Sequence, residues 1–85
     1  MNTTYFVYAI SSQSHRYIYV GITSNIERRI SEHNNGYNRT TKPYRPFRLI
    51  YFEKFLSRAD ARSKEKFLKG GSGKKFLYSF LQEKK

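Results

Sequence analysis

Tyr8 and Tyr19 are the first residues in the chain whose type and placement could do chemistry. Each lies in a short run rich in aromatic and β-branched residues, at positions 5–10 and 17–22, with a polar segment between the runs. This pattern predicts an antiparallel β-hairpin with Tyr8 on its first strand and Tyr19 on its second. Tyrosine is also a common strand residue, so ordinary sheet packing is the alternative explanation.

The register of this hairpin decides whether the two tyrosines share a face. Pairing Tyr8 with Tyr19 places both on one face and sets Phe6 opposite Gly21. Because Gly21 has no side chain, this register predicts a gap there through which a ligand could approach. A slip of one residue would send one tyrosine to the opposite face.

Arg29 and His33 are candidates for holding a phosphate. On a predicted first helix at residues 25–34 they lie one turn apart, at the border of the apolar stripe that Ile26 and Ile30 define. A guanidinium offers a planar fork to phosphate oxygens, and an imidazole can donate a hydrogen bond or carry a proton. The alternative is a solvated helix face with an incidental histidine.

Glu65 is the candidate metal ligand. It lies close to the apolar stripe that Ala61 and Leu68 mark on a predicted second helix. A carboxylate in that position needs either a cation from the protein or a hard metal such as Mg²⁺, which takes oxygen ligands. The alternative is an ordinary glutamate paired with the neighbouring lysines.

The glycine-rich segment at residues 70–75 is not a nucleotide-binding loop. It lacks Ser or Thr after its lysine and follows a helix instead of a strand, so no small-molecule cofactor is expected. Lys74 and Lys75 would begin a helix, where their positive charges oppose the helix dipole. A phosphate bound at the helix start would offset this repulsion. Both lysines are therefore predicted to contact a nucleic acid backbone, whereas His15 lies in the first turn and receives no catalytic role.

Local signals predict where the first helix begins and ends. Ser24 is followed three residues later by Glu27, which predicts a capping box at its start. Asn34, Asn35 and Gly36 would end it, because asparagine and glycine tolerate the left-handed conformation.

The second half of the chain is predicted to hold one strand and two helices. After a loop at residues 37–46 comes a strand at Phe47–Phe55, and Ser57 would cap a helix that ends near residue 69. Ser72 would cap a third helix. The apolar stripe of that third helix would comprise Phe76, Leu77, Phe80 and Leu81. Residues 83–85 are expected to fray.

The predicted order is therefore β-β-α-β-α-α, an α+β fold in which helices pack on an antiparallel sheet. The chain has 85 residues, which allows one hydrophobic core, so residues 1–85 are predicted to form a single domain. It has no cysteine, which excludes disulfides and thiolate metal sites. The lack of a leader-like start or a long apolar segment predicts a soluble, cytoplasmic protein that does not enter a membrane.

The charge balance predicts a polyanionic partner. Seventeen Lys and Arg residues against six Asp and Glu give a formal charge of +11. Nucleic acid is the leading candidate, an anionic membrane surface is the second, and a merely soluble basic protein is the third. The predicted contacts to nucleic acid are Arg28, Arg39, Lys42, Arg45, Lys69, Lys74 and Lys75.

Together these positions resemble the GIY-YIG nuclease superfamily along nearly the whole chain. Residues 6–8 and 19–21 resemble its two signature strands, and Arg29 and His33 resemble the pattern of its first helix. Glu65 is similar to the metal-binding glutamate of its second helix. The third strand resembles that of small, stand-alone members at Pro46, Leu49, Tyr51 and Glu53.

The resemblance implies a three-stranded antiparallel sheet flanked by helices and the metal-dependent hydrolysis of a phosphodiester. By the same resemblance, Glu65 would bind Mg²⁺ or Mn²⁺, and Arg29 would hold the scissile phosphate. Tyr19 would position or deprotonate the attacking water, with Tyr8 beside it. His33 is the alternative proton acceptor.

The sequence also departs from the family pattern. Phe6 stands where the first motif has glycine, and Ile22 stands where many members have lysine. No clear equivalent of an asparagine that some members carry in the third helix follows Gly73. The leading prediction is a metal-dependent DNA endonuclease that is structure-selective or non-specific. The alternatives are a catalytically inactive DNA-binding module and a basic scaffold for a protein partner.

Overall fold

A computed structural model of the chain describes residues 3–82. Its elements in order are β1 (Tyr5–Ser12), β2 (Ile18–Thr23), α1 (Ile26–Asn34), β3 (Phe47–Phe55), α2 (Arg58–Lys69) and α3 (Gly71–Gln82), with a short 3-10 turn at Lys42–Tyr44. The predicted order of elements and the predicted α+β fold class are confirmed. The predicted fraying of residues 83–85 lies outside the described residues.

The three strands form one antiparallel sheet in the order β2-β1-β3, so β1 is the central strand. Its side chains alternate between two buried layers. Val7 and Ala9 pack against Leu68 and other residues of α2 and α3 on one face. Tyr8 and its neighbours pack on the other face, towards α1. The sheet therefore places Tyr8 between a strand on each side and a helix above.

The predicted register of the hairpin is wrong by two residues. Tyr8 pairs with Gly21, and Tyr19 pairs with Ile10. The first strand continues two residues further into the turn than its composition indicated, and the Ser12 N–H donates to the Tyr17 carbonyl at 2.9 Å. Because a shift of two residues preserves the face of every side chain, Tyr8 and Tyr19 still lie on the same side of the sheet.

The first helix begins one residue later than predicted. Asn25 is its N-cap, and the Asn25 side chain accepts a hydrogen bond from the Arg28 N–H at 3.0 Å. The capping box predicted at Ser24 is therefore wrong. The Asn25 N–H donates to the Thr23 hydroxyl at 3.2 Å, which holds the chain as it enters the helix. The helix ends before Gly36, whose positive φ of 78° fits the predicted left-handed stop.

The predicted start of the second helix is confirmed, and that of the third is wrong. The Ser57 side chain accepts from the Asp60 N–H at 3.3 Å. The third helix begins at Gly71, so Ser72 lies inside it. Gly73 packs against the backbone of Leu68, where a side chain would collide, and this close approach joins the two helices. Among residues 3–82, no helix combines the length and the apolar composition that a membrane crossing requires.

Candidate active site

A cavity of about 410 Å³ opens beside β2, between α1 and α2. Tyr8 and Tyr19 reach it from the sheet, Arg29 from α1, and Glu65 from α2. The fold therefore brings four of the predicted catalytic residues to one concave surface. A concave site with a few convergent polar groups is the usual form of a binding or catalytic site.

Gly21 makes room for the two tyrosine rings. A Cβ atom at Gly21 would lie 2.8 Å from the Tyr8 hydroxyl oxygen and 3.1 Å from Cε2 of Tyr19. The gap predicted opposite Phe6 is therefore opposite Tyr8 instead, and the Tyr8 ring fills it. The Tyr8 and Tyr19 ring centroids are 6.3 Å apart. Glycine is required here because Tyr8 leans across its neighbouring strand.

His33 lies behind Tyr8 and is fully buried. Its Nε2 is 2.9 Å from the Tyr8 hydroxyl, and its Nδ1 is 2.8 Å from the Thr41 hydroxyl. Because the Thr41 hydroxyl donates to the Asn38 carbonyl at 3.4 Å, it can accept from a protonated Nδ1. Nε2 then carries no hydrogen and can accept a hydrogen bond from the Tyr8 O–H. Both ring nitrogens are engaged inside the protein, so the direct phosphate contact predicted for His33 does not fit its position.

Burial favours the uncharged forms of both Tyr8 and His33 at neutral pH. It raises the pKa of Tyr8 to about 12, and the nearby Arg29 acts in the opposite direction. Burial also lowers the pKa of His33 to about 4, helped by the positive charge of Arg29. The proton therefore stays on Tyr8 and points towards His33. The Tyr8 oxygen is left to accept hydrogen bonds from groups in the cavity.

The lowered pKa of His33 predicts acid sensitivity of the fold. Between pH 6.5 and about 4, the unfolded chain binds a proton at His33 that the folded chain does not. The free energy of unfolding should therefore fall as the pH drops through this range, by up to about 3 kcal/mol for the full shift. Denaturant unfolding measured at intervals across the range would show it.

The His33→Gln variant is the control for this measurement. Glutamine does not titrate, and its amide oxygen can accept the Tyr8 proton. The stability difference between wild type and variant should therefore shrink or reverse in favour of the variant as the pH falls. If the two stability profiles run parallel, His33 is not the group responsible.

Arg29 is held in place by Glu32 on the same helix. One guanidinium nitrogen lies 2.8 Å from a Glu32 carboxylate oxygen, and the Arg29 side chain is 33% exposed. This hydrogen bond is the largest cause that raises the pKa of Arg29, and the contact with Tyr8 adds to it. Glu32 thus engages part of the guanidinium and leaves other donors for the cavity. Sequence reasoning did not identify Glu32.

Glu65 lies among basic side chains of its own helix. Its side chain is only 14% exposed, 3.1 Å from Lys69 Nζ and 3.8 Å from Arg62 Nε. Arg58 and Arg62 also line the cavity. Sequence reasoning missed both, although their spacing from Glu65 puts all three on one helix face. That spacing is the signal that would have identified them.

The sequence signature and the fold agree on one family. A family model described as the GIY-YIG catalytic domain matches residues 4–79. The chain belongs to the GIY-YIG family. Members of this family are generally nucleases that use divalent metals, so the domain has a nuclease-type fold.

Relatives of this GIY-YIG domain carry the name UPF0213. A UPF0213 protein of Haloquadratum walsbyi is 36% identical over 86 residues, covering 100% of this chain and 85% of the relative. One of Listeria innocua is 37% identical over 94% of this chain and 88% of its own length. One of Clostridium perfringens is 42% identical over 61% of this chain, and the match spans only 57% of that relative.

A solved relative has the same fold. The solution NMR structure of a UPF0213 protein from Bacillus halodurans superposes on this GIY-YIG domain with a TM-score of 0.54 and 29% identity. The superposition covers 89% of this chain and 83% of the other. The three-stranded sheet with its helices is therefore shared between the two proteins.

The donor set of the GIY-YIG cavity suits a hard metal ion. Within residues 3–82, no three His, Cys, Asp or Glu side chains come together as a metal cluster. Glu65 alone brings a carboxylate to the described lining of the cavity. Mg²⁺ commonly binds through one or two carboxylates, retains several waters and takes its other oxygens from substrate phosphate. One carboxylate in an open cavity therefore fits Mg²⁺ and does not fit a three-ligand zinc site.

The predicted nucleic acid contacts of the GIY-YIG domain lie outside the lining of this cavity. They are Arg28 on α1, Arg39, Lys42 and Arg45 in the segment after α1, Lys69 at the end of α2, and Lys74 and Lys75 in α3. The cationic side chains on the cavity wall are Arg29, Arg58 and Arg62. Contact between the outer residues and nucleic acid stays a prediction.

Proposed function

We propose that this chain is a metal-dependent endonuclease that hydrolyses DNA phosphodiester bonds, either structure-selectively or without sequence preference. The observation that supports this most is the convergence of Tyr8, Tyr19, Arg29 and Glu65 on one cavity. These residues come from different elements, so packing alone gives no reason for two phenols, a guanidinium and a carboxylate to meet in an open site.

Arg29 is proposed to hold the scissile phosphate. Its contact with Glu32 limits its motion, and its remaining donors can bind phosphate oxygens in a fixed geometry. A guanidinium placed before the reaction stabilises the negative charge that develops on phosphorus oxygens. Arg58 and Arg62 add positive charge to the same cavity. Ile22, which stands where many family members have lysine, lines the same cavity.

The two tyrosines are proposed to have different roles. With His33 protonated on Nδ1, the Tyr8 O–H donates a hydrogen bond to Nε2, so the Tyr8 oxygen can only accept a hydrogen bond from the cavity side. It can therefore orient a water molecule but cannot protonate it. Tyr19, which is half-buried and faces the same cavity, is proposed to position or deprotonate the attacking water. With a pKa of about 4, His33 is a poor base and is proposed to orient Tyr8 instead.

The metal is proposed to be Mg²⁺ or Mn²⁺, with Glu65 as the protein ligand. Such an ion would supply charge stabilisation at the phosphate and a more acidic bound water. Lys69 and Arg62 contact Glu65, and because both side chains are about half exposed they can turn to phosphate once the carboxylate has another partner. The formal charge of +11 supports DNA as the substrate.

The proposed function predicts metal-dependent products from DNA. Purified protein would be incubated with labelled linear, nicked, flapped, four-way and single-stranded DNA in Mg²⁺, in Mn²⁺ and in chelator. Products are expected with either metal and none with chelator, and the preferred substrate would identify the structure that is recognised.

The same experiment separates the proposal from its alternatives. An inactive DNA-binding module would bind every substrate and cleave none. Binding that falls steeply with added salt would identify phosphate contacts, because cations are released when lysine and arginine neutralise the backbone. A scaffold for a protein partner would show neither cleavage nor salt-dependent DNA binding.

A further inference from the structure

A second cavity, also of about 410 Å³, lies on the other side of the start of α1. Its apolar wall consists of Phe6, Ile26, Leu49 and Phe52, which we call the aromatic groove. Polar residues at the helix start form the rest of its lining. Ser24 lines both this groove and the first cavity, which holds the proposed catalytic residues and which we call the catalytic cavity. The two cavities are therefore adjacent.

The aromatic groove exists because α1 covers only part of its sheet face. Phe52 pairs with Tyr8 across β1 and β3 and therefore lies on the same face. The Tyr8 ring leans the other way, over Gly21. Phe52 is left 55% exposed, with its ring centroid 6.2 Å from that of Phe6 at an angle of 58°. The groove thus presents two aromatic rings next to a catalytic tyrosine.

One cation lies beside the rings of the groove. Lys54 pairs with Phe6 on the same face of the sheet and is exposed. Glu27 at the start of α1 also lines the groove and is exposed, so a negative group of the occupant is expected at Lys54 and away from the helix start. Flat apolar rings with a cation beside them suit a nucleotide, whose base stacks on the ring while its phosphate meets the cation.

We propose that the aromatic groove binds the base of an unpaired nucleotide beside the phosphate held in the catalytic cavity. This inference rests on the proposed function and adds a substrate class to it. Bases inside a duplex are stacked on one another and cannot enter the groove, whereas single-stranded or splayed nucleotides can. The groove therefore favours single-stranded DNA, flaps and junctions over intact duplex.

The Phe52→Ala variant tests the groove, and Phe67→Ala is its matched control. Phe67 is 51% exposed on α2 and does not line the groove, so both changes remove a half-exposed ring. Affinity would be measured in chelator for a short single strand and for a duplex of the same sequence. Phe52→Ala should weaken single-strand binding roughly tenfold and duplex binding less than about twofold, because one stacked base is lost.

A fluorescent adenine analogue in the single strand gives a second readout. Stacking on the groove should quench its emission in wild type and in Phe67→Ala but not in Phe52→Ala. Phe52→Tyr should restore both quenching and affinity, since it keeps a ring. Equal affinities for Phe52→Ala and Phe67→Ala would overturn the groove as a base site. So would a change in self-association without a change in single-strand affinity, which would make the face a contact between copies.

These measurements separate the groove from the nuclease proposal, because binding in chelator needs no catalysis. A wild type that cleaves DNA while Phe52→Ala binds single strands normally would retain the nuclease and refute the base site. A wild type that cleaves nothing while Phe52→Ala loses single-strand affinity would retain the base site and refute the nuclease.

Discussion

Replacing Glu65 with glutamine is expected to reduce DNA cleavage at least about a hundredfold, while affinity for DNA in chelator stays unchanged. The substitution keeps the shape of the side chain and removes the charge that would bind the metal. Metal ions contribute several kcal/mol of charge stabilisation at a phosphoryl group, and each 1.4 kcal/mol corresponds to about tenfold in rate. The rate would be measured under single-turnover conditions at several Mg²⁺ concentrations.

Glu53→Gln is the matched control for Glu65→Gln. Glu53 also has a lysine partner, with Lys64 Nζ at 3.6 Å, but it does not line the catalytic cavity. Both variants raise the net charge by one, so an effect of charge on DNA binding would appear in both. A cleavage rate for Glu65→Gln that equals that of Glu53→Gln would contradict the assignment of Glu65 as the metal ligand.

The elements of the fold could be predicted because their signals are local. The aromatic and β-branched runs, the Ser57 cap and the glycines after α2 each act over a few residues. The hairpin register could not be predicted in the same way. It depends on how the turn between the strands closes, here with Ser12 bonded to Tyr17, and composition does not encode that choice. The prediction that both tyrosines lie on one face of the sheet stayed correct only because the register was wrong by an even number of residues.

The sequence identified four residues that line the cavity between α1 and α2, but not the contacts that hold them in place. Helix periodicity placed Arg29 and Glu65 near an apolar stripe, and the hairpin register placed Tyr8 and Tyr19 on one face of the sheet. The roles of His33 and Thr41 depend on contacts that periodicity cannot show. Thr41 lies in a loop without regular pattern, and only the folded chain brings its hydroxyl to the imidazole.

The aromatic groove could not be predicted from the sequence either. The sequence indicated that Phe6 is a strand residue that departs from the family motif. The sequence placed Phe52 in an apolar-rich strand. Whether an aromatic residue on a sheet is covered depends on how far the overlying helix extends, and α1 begins at Ile26, too late to cover this end of the sheet. Exposure of such rings is a tertiary property, and it is what distinguishes a binding surface from core.

Replacing Arg29 with lysine is expected to reduce cleavage by about a hundredfold or more even though the positive charge remains. Lysine has no planar fork, so it cannot contact Glu32 and a phosphate oxygen at the same time in a fixed geometry.

Arg28→Lys is the matched control, because Arg28 precedes Arg29 on the same helix and also contacts Glu32, at 3.8 Å, but does not line the cavity. DNA affinity in chelator should stay within about twofold for both variants, since each keeps its charge and affinity depends mainly on charge. Single-turnover cleavage at saturating DNA would measure the difference. Equal rates in the two variants would mean that Arg29 contributes only charge, and the phosphate would then have to be held by Arg58 or Arg62 from the facing helix.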